Sequence, residues 1–385
     1  MGIRFDRIAK VQANMRAQGM VAIVVLNHDD LRYLFGEDRA QPRALIPFEG
    51  PPELIVFSGE EPDVTQTLWA DTQQGKVRVF KSVGGQINEV VGRVRELAAA
   101  GRSAGLSLGA SGRPKVGLQM WFGTPAFLVD LFRQVNPEVE VVSSDPALDP
   151  LRSIKGRDEI AQMTEAQRIA GIGMDRAREL LRPDVTGHEV ATEVLYAMMR
   201  AGAEGTSTPI HVNFGPDTCM LHGRTSDRPL RPGQLAVIDL TPQVNGYCSN
   251  LARTFVLGRP DERQAALLDA YREIVSAVRP AMLPGATVAQ LDAVARSVLE
   301  PRGLAQHQVL GLGHGIGLRF EEAPASTIIP PHKNLPLVEG MTVTIGHTVL
   351  AIPGFGGVRF EDVYRVTSAG AVPLTEYPID PIVSA

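Results

Sequence analysis

Apolar positions at Ile8, Val11 and Met15, closed by Gly19, predict an amphipathic helix over residues 5–19 with a glycine exit. The unbroken run Val21-Ala22-Ile23-Val24-Val25-Leu26 then reads as a short buried strand, and 54–57 and 139–142 read as two more. Helical stretches fall between them, around 87–100 and 125–135. Helices alternating with short apolar strands predict an α/β domain over residues 1–150, with Ser143-Ser144-Asp145-Pro146 as the linker and a second domain over 151–385. Past Ile154 the period lengthens. Met163, Ala166, Ala170, Met174, Ala177 and Leu181 step by three and four, the signature of one long amphipathic helix. Thr186-Gly187-His188-Glu189 reads as a capping box opening a second helix that ends near Gly202.

Thr287-Val288-Ala289-Gln290 has the same form and opens a helix ending near Gly303. A shift of 101 residues superposes Pro183 on Pro284, Thr186 on Thr287, Glu189 on Gln290, Val190 on Leu291 and Gly202 on Gly303. Each copy is followed by a β-rich stretch, 235–257 and 341–367. Two similar halves would enclose one site between them.

Composition narrows the class. Of 385 residues, 38 are Lys or Arg and 43 Asp or Glu, a net charge of −5 with no basic block, so nothing supports nucleic-acid binding. Cys219 and Cys248 alone build neither a disulfide framework nor a cysteine zinc site, which points to a reducing, cytoplasmic setting. The N-terminus, Met1-Gly2-Ile3-Arg4, leads into an amphipathic pattern with no signal-like apolar region, and no run of about 18 apolar residues suggests a membrane span.

Four segments concentrate His, acidic and Gly residues: 221–224, 238–250, 313–318 and 357–362. Taken singly, Asp239 could be a strand-end turn residue, His314 a backbone-bonded loop histidine, and Glu361-Asp362 a solvated pair. Taken together and in order, Asp239…Gly246-Tyr247…Arg253-Thr254-Phe255, Gly313-His314-Gly315-Ile316-Gly317-Leu318 and Gly340-Met341…Pro353-Gly354…Gly357-Val358-Arg359-Phe360-Glu361-Asp362 resemble the pita-bread-fold peptidases. The likeness is nearest to the Xaa-Pro aminopeptidase, prolidase and creatinase branch. It implies an α+β pita-bread catalytic domain preceded by a smaller creatinase-type α/β domain, and a homodimer whose partner closes each pocket. It also implies hydrolysis of a C–N bond in a small peptide or amide-like substrate.

The peptidases of this family hold two divalent metals with two Asp, one His and two Glu. By position Asp239, His314 and Glu361 match three of these, while the second Asp falls on Asn250 and the first Glu on Gly346. Glu321 stands where a histidine is usual. Two remaining carboxylates balance one divalent ion at most, so the expectation is one ion (Mn, Zn, Fe or Co) or none. Restoring Asn250→Asp and Gly346→Glu should raise the ion count unless residues 346–348 have rearranged. His347 could replace the missing ligand and complete a His₂-carboxylate set. Strand alternation predicts that it points away, unless Gly346 permits a bulge. In the single-metal version, Glu361 is ligand and base, His222 steadies the oxyanion, and Arg359 stays near Glu361 or a product carboxylate. His211 and Glu321 are further candidates to line the pocket. Two rivals remain: metal-free, creatinase-like catalysis by a histidine such as His222, for which Ala252 lacks creatinase's carboxylate, and a catalytically silent binding module.

Overall fold

The computed structural model describes residues 4–39, 41–67, 76–121, 123–309 and 311–383, so Met1–Ile3 lie outside the described residues. The chain divides into two compact units, Met1–Arg152 and Ser153–Ala385.

In the first unit the helices are α1 (Phe5–Gln18), α2 (His28–Phe35), α3 (Glu61–Thr67), α4 (Val83–Ser103), α5 (Ala126–Val135) and α6 (Asp145–Arg152). The strands are β1 (Met20–Val25), β2 (Ala44–Pro47), β3 (Glu53–Phe57), β4 (Lys76–Phe80), β5 (Lys115–Leu118) and β6 (Glu140–Ser143). They form one mixed sheet in the order β4-β3-β2-β1-β5-β6, with β1, β5 and β6 mutually parallel. β1 is buried at all six positions because helices cover both of its faces. Ser143–Pro146 is not a linker. Ser143 ends β6, Ser144 is fully buried, and Asp145 opens α6, anchored by Asn14 Nδ2 donating to the Ala147 carbonyl at 3.0 Å.

The second unit is built twice over. Its first half has α7 (Arg157–Leu180) and α8 (Gly187–Arg200), then strands β7 (Gly205–Thr206), β8 (His211–Phe214), β9 (Leu235–Leu240), β10 (Pro242–Val244), β11 (Tyr247–Cys248) and β12 (Leu251–Leu257). Its second half has α9 (Glu262–Ala281) and α10 (Val288–Leu299), then β13 (Gln308–Val309), β14 (Thr342–Ile345), β15 (Val349–Ile352), β16 (Gly356–Val358), β17 (Asp362–Thr367), β18 (Gly370–Pro373) and β19 (Ile382–Val383). Each half has its own apolar core beneath its helix pair. The duplication extends to individual hydrogen bonds. Asp184 N and Leu230 N donate to Leu230 O and Val185 O at 2.9 and 2.8 Å, and Gly285 N and Leu337 N donate to Leu337 O and Ala286 O at 2.8 and 2.7 Å. Both capping boxes form, at Thr186/Glu189 and Thr287/Gln290.

The last strand, β19, returns to pair with β12 in the sheet β19-β12-β9-β8, and among the described residues one antiparallel bridge joins that sheet to β14-β17-β18. Ala252 and Glu361 exchange both backbone hydrogen bonds at 3.0 Å. Arg253 locks this seam, its Nη1 donating to the Glu361 carbonyl at 3.1 Å and its Nη2 to Asp362 Oδ1 at 2.8 Å.

Candidate active site

The pairing register sets out the site. His211 pairs with Asp239, Asp239 with Ala252, and Ala252 with Glu361, across four adjacent strand segments. Residues directly opposite one another share a face of the sheet. His211, Asp239 and Glu361 therefore project to one side, with the small Ala252 leaving room between the two carboxylates. Arg359, two residues before Glu361 and so on the same face, fills that room. Its Nη1 lies 2.8 Å from Asp239 Oδ2, and its Nη2 donates to Glu361 Oε2. Asn250 Nδ2 donates to the other Asp239 oxygen at 2.8 Å.

His314 comes from the glycine-rich loop, where its backbone N–H donates to Thr344 Oγ1 at 3.2 Å and its carbonyl accepts from Thr344 N at 2.8 Å. Its Nδ1 is 2.9 Å from the Gly315 carbonyl, which can only accept, so Nδ1 carries the proton and Nε2 presents a lone pair. That Nε2 is 4.0 Å from Glu361 Oε1.

Strand alternation does not govern His347. β14 stops at Ile345, Gly346 takes φ +112°, and the amides of Gly346 and His347 both donate to the Leu312 carbonyl at 2.9 Å. Two residues set against one acceptor make a bulge, and the bulge turns His347 inward. Its Nδ1 lies 3.5 Å from Glu361 Oε1 and 3.2 Å from Arg359 Nη2, and its ring centroid is 4.9 Å from that of His314. Tyr271 Oη holds the bulge in place, 2.7 Å from the Gly346 carbonyl and 2.6 Å from that of Thr348. His222 stands at the mouth, 5.6 Å from His347 and 6.3 Å from His211 between ring centroids.

Asp239, Asn250, His314, His347, Arg359 and Glu361 are all almost entirely shielded from solvent, and His222 is the exposed member. Burial alone would raise the Glu361 carboxyl, but Arg359, with His347 and His314, holds it far below the usual carboxylate range. Burial works against Arg359 too, and Asp239 and Glu361 more than reverse it. Burial pushes the His314 imidazole down, and partial desolvation of the His222 ring, followed by the charges of His347 and Arg359, does the same there. Both imidazoles are neutral at neutral pH.

The other sequence-derived candidates are placed as follows. His211 Nδ1 hydrogen-bonds the Gly223 carbonyl at 2.6 Å. Glu321 is buried, accepts from Thr327 Oγ1, and acts on His314 through its charge. Arg359 is not free to grip a substrate carboxylate, because it is buried and both terminal nitrogens engage Asp239 and Glu361. Sequence reasoning missed Tyr271 and also Asp292, whose Oδ1 accepts from Leu312 N at 2.7 Å and so steadies the carbonyl under the bulge. Both lie on helices remote in sequence and carry no local signal.

The donor set tests whether a metal fits. A two-ion centre does not. Position 346 offers no side chain, Asn250 turns its N–H₂ to Asp239, and a guanidinium already lies between Asp239 and Glu361. His314, His347 and Glu361 offer ligand atoms that all lie within 4.8 Å of one another, but the lone pair of His347 Nδ1 already accepts from Arg359 Nη2 at 3.2 Å. His314 Nε2, His347 Nε2, Glu361 Oε1 and Asn250 Oδ1 are buried without a protein hydrogen-bond partner. Such atoms cost about 1–3 kcal/mol each when left unsatisfied.

The duplicated α+β unit carries a histidine and carboxylate cluster at its seam, and comparison with known proteins gives the family. Residues 161–368 match the metallopeptidase family M24 and residues 7–154 the creatinase/prolidase N-terminal domain. The chain belongs to family M24: it is a peptidase-like hydrolase with a pita-bread domain behind a creatinase-type N-terminal domain. The Xaa-Pro dipeptidase of Pyrococcus furiosus is 33% identical over 65% of this chain and 70% of its own length. The prolidase structure from Pyrococcus horikoshii superposes with a TM-score of 0.83 at 25% identity, covering 98% of this chain and 100% of that one. The dipeptidase PepE from Mycobacterium ulcerans superposes with a TM-score of 0.82 at 27% identity, covering 99% and 98%.

Proposed function

We propose that this protein hydrolyses the C–N bond of a small Xaa-Pro-type peptide or related amide, using at most one divalent ion. The carrying observation is the row of Asp239, Arg359 and Glu361 under His314 and His347, open toward His222. Glu361 stays ionised, and its partnerless Oε1 accepts a hydrogen bond from the attacking water and orients it. Its lowered pKa makes it a weak base, so the proton given up by the attacking water passes to the lone pair of the neutral His222 ring. The resulting imidazolium donates a hydrogen bond to the developing oxyanion and then gives that proton to the leaving nitrogen. When bound, a divalent ion supplies Lewis-acid polarisation and lowers the pKa of water. Arg359 supports a second reading, metal-free catalysis, because its positive charge lies between the two carboxylates and already offsets one of them.

The test is hydrolysis of a panel of Xaa-Pro dipeptides and small amides by purified protein, with and without chelator. Cleavage lost on chelation is expected. Cleavage that survives selects the metal-free reading, and no cleavage of any panel member overturns the hydrolase assignment in favour of a binding module. The same reading carries a cytoplasmic homodimer, which sedimentation velocity checks: a monomer at micromolar concentration would sink it.

A further inference from the structure

We infer that the second unit carries a separate binding site for a free α-amino acid, in a cavity lined by Asp292, Arg296, Gln308, Ser326, Thr327 and Lys333. The site itself goes beyond the hydrolase reading, and only its effect on turnover rests on that reading.

The cavity measures about 190 Å³ and is walled by α10, β13 and the chain between the glycine-rich loop and β14. It shares no lining residue with the cluster around Glu361. Pockets for drug-sized ligands run to roughly 300–1,000 Å³, so this one suits a smaller molecule.

The charges define that molecule. Among the described residues neither Arg296 nor Lys333 has a hydrogen bond or an ion pair, and both reach Asp292 through charge alone. Two such cations accommodate a ligand carboxylate. The acceptors ask for the opposite charge. Asp292 gives Oδ1 to Leu312 N at 2.7 Å and keeps Oδ2 without a described partner, while Gln308 Oε1 is buried and has none either. Burial raises the Asp292 carboxyl, with the Leu312 amide, Lys333 and Arg296 opposing, and a ligand ammonium beside Oδ2 would join that opposition. A bare anion would leave both acceptors unanswered beside a carboxylate. A bare cation would sit against two others. An α-amino acid carries both charges on one carbon and meets both demands, and it is also what dipeptide hydrolysis releases.

Three lining residues also hold the catalytic frame. Asp292 fixes Leu312, whose carbonyl takes both amides of the bulge at 2.9 Å. Ser326 Oγ donates to the Gly313 carbonyl at 2.5 Å, next to His314, and Thr327 Oγ1 donates to Glu321. An ammonium at Oδ2 draws carboxylate charge away from the Leu312 N–H and loosens the strut beneath His347. Occupation therefore lowers turnover without competing for the catalytic pocket.

Ligand-detected NMR titration of the full-length protein with L-alanine and L-proline tests this, with propionate and ethylamine as probes that each lack one charge. Saturable binding of at least one amino acid is expected, with propionate and ethylamine each about 10-fold weaker or more, the worth of a lost charge-assisted hydrogen bond. Lys333→Ala and Arg296→Gln, at positions half-exposed and exposed, should each weaken binding by about as much. His222→Ala, at the catalytic mouth, should leave it unchanged. No binding of either amino acid, propionate binding as tightly, or unchanged affinity in either cavity variant would each overturn the site. Loss of binding in His222→Ala would put the amino acid at the catalytic mouth and overturn it too. In the dipeptide assay, saturating amino acid should lower kcat in the parent but not in Lys333→Ala, and a rise in KM alone would overturn the coupling. Amino-acid binding without cleavage of any dipeptide leaves the site standing and removes the hydrolase reading. Cleavage without amino-acid binding does the reverse.

Discussion

At the residue scale, Gly346 carries more of the site than any acidic side chain. A Cβ built there would meet the Phe360 carbonyl oxygen at 1.7 Å, and the φ of +112° is itself closed to L side chains. The glutamate expected at this position from the family pattern therefore cannot be restored by substitution alone, because backbone already occupies its space. Gly346→Ala and Gly346→Glu should each destabilise by roughly 3 kcal/mol or more. Gly303→Ala is the control, since Gly303 is also left-handed at φ +65° but has nothing within 4 Å of the added carbon. It should cost only about 1 kcal/mol. Chemical denaturation midpoints separate the two cases, and equal midpoints for the 303 and 346 alanine variants would disprove the steric account.

At the element scale, the two halves behave as copies because the same local physics was written twice. Thr186 Oγ1 accepts from Glu189 N at 3.3 Å while Glu189 Oε2 accepts from Thr186 N at 2.7 Å. Thr287 Oγ1 accepts from Gln290 N at 3.3 Å while Gln290 Oε1 accepts from Thr287 N at 2.9 Å. An N-cap threonine is worth about 1 kcal/mol, so Thr186→Ala and Thr287→Ala should lower stability by similar amounts, and by their sum in the double variant. A large loss in one half with none in the other would show that the copies have diverged energetically. The strands diverge visibly. β9 runs on through Asp239 to Leu240, whereas β14 stops at Ile345 and the chain breaks into the bulge. One copy presents a carboxylate and the other an imidazole.

At the scale of the whole molecule, buried histidine links the site to the stability of the fold. An unfolded His314 takes a proton near pH 6.5, but in the folded chain burial first, then His347, lowers that value, with Glu321 opposing. Below pH 6.5 the unfolded state thus binds more protons than the folded one, so stability rises with pH in this window. The contribution is complete above about 6.5 and is lost as the pH falls toward the folded value. His222 shifts the same way and adds to it. The melting temperature of chelator-stripped protein should drop between pH 7.5 and 5.5, with a slope of up to about 1.4 kcal/mol per pH unit for each group. His314→Gln should flatten it. A melting temperature that rises on acidification over this range would contradict the burial argument.

Much of this molecule was legible in the chain. Periodicity marked α1 and α7, caps marked α8 and α10, and the shift of 101 residues exposed the duplication, because each depends on neighbours a few residues apart. β4 and β5 escaped notice: Lys76–Phe80 is largely exposed and Lys115–Leu118 is only four residues long, too little pattern for a period to show. The linker reading failed because Ser and Asp also cap and begin helices, and only packing shows that Ser144 is buried. Within the site, the identities of Asp239, His314, His347, Arg359 and Glu361 were visible, and so was the absence of carboxylates at 250 and 346. Three things belonged to the tertiary structure. The pairing of Ala252 with Glu361 set Arg359 between two carboxylates. A tyrosine 75 residues from Gly346 held the backbone kink. That kink turned His347 inward against the alternation of its own strand. Sequence fixes what is decided between near neighbours, while the direction of a side chain after a bulge is decided by contacts that exist only once distant segments have met.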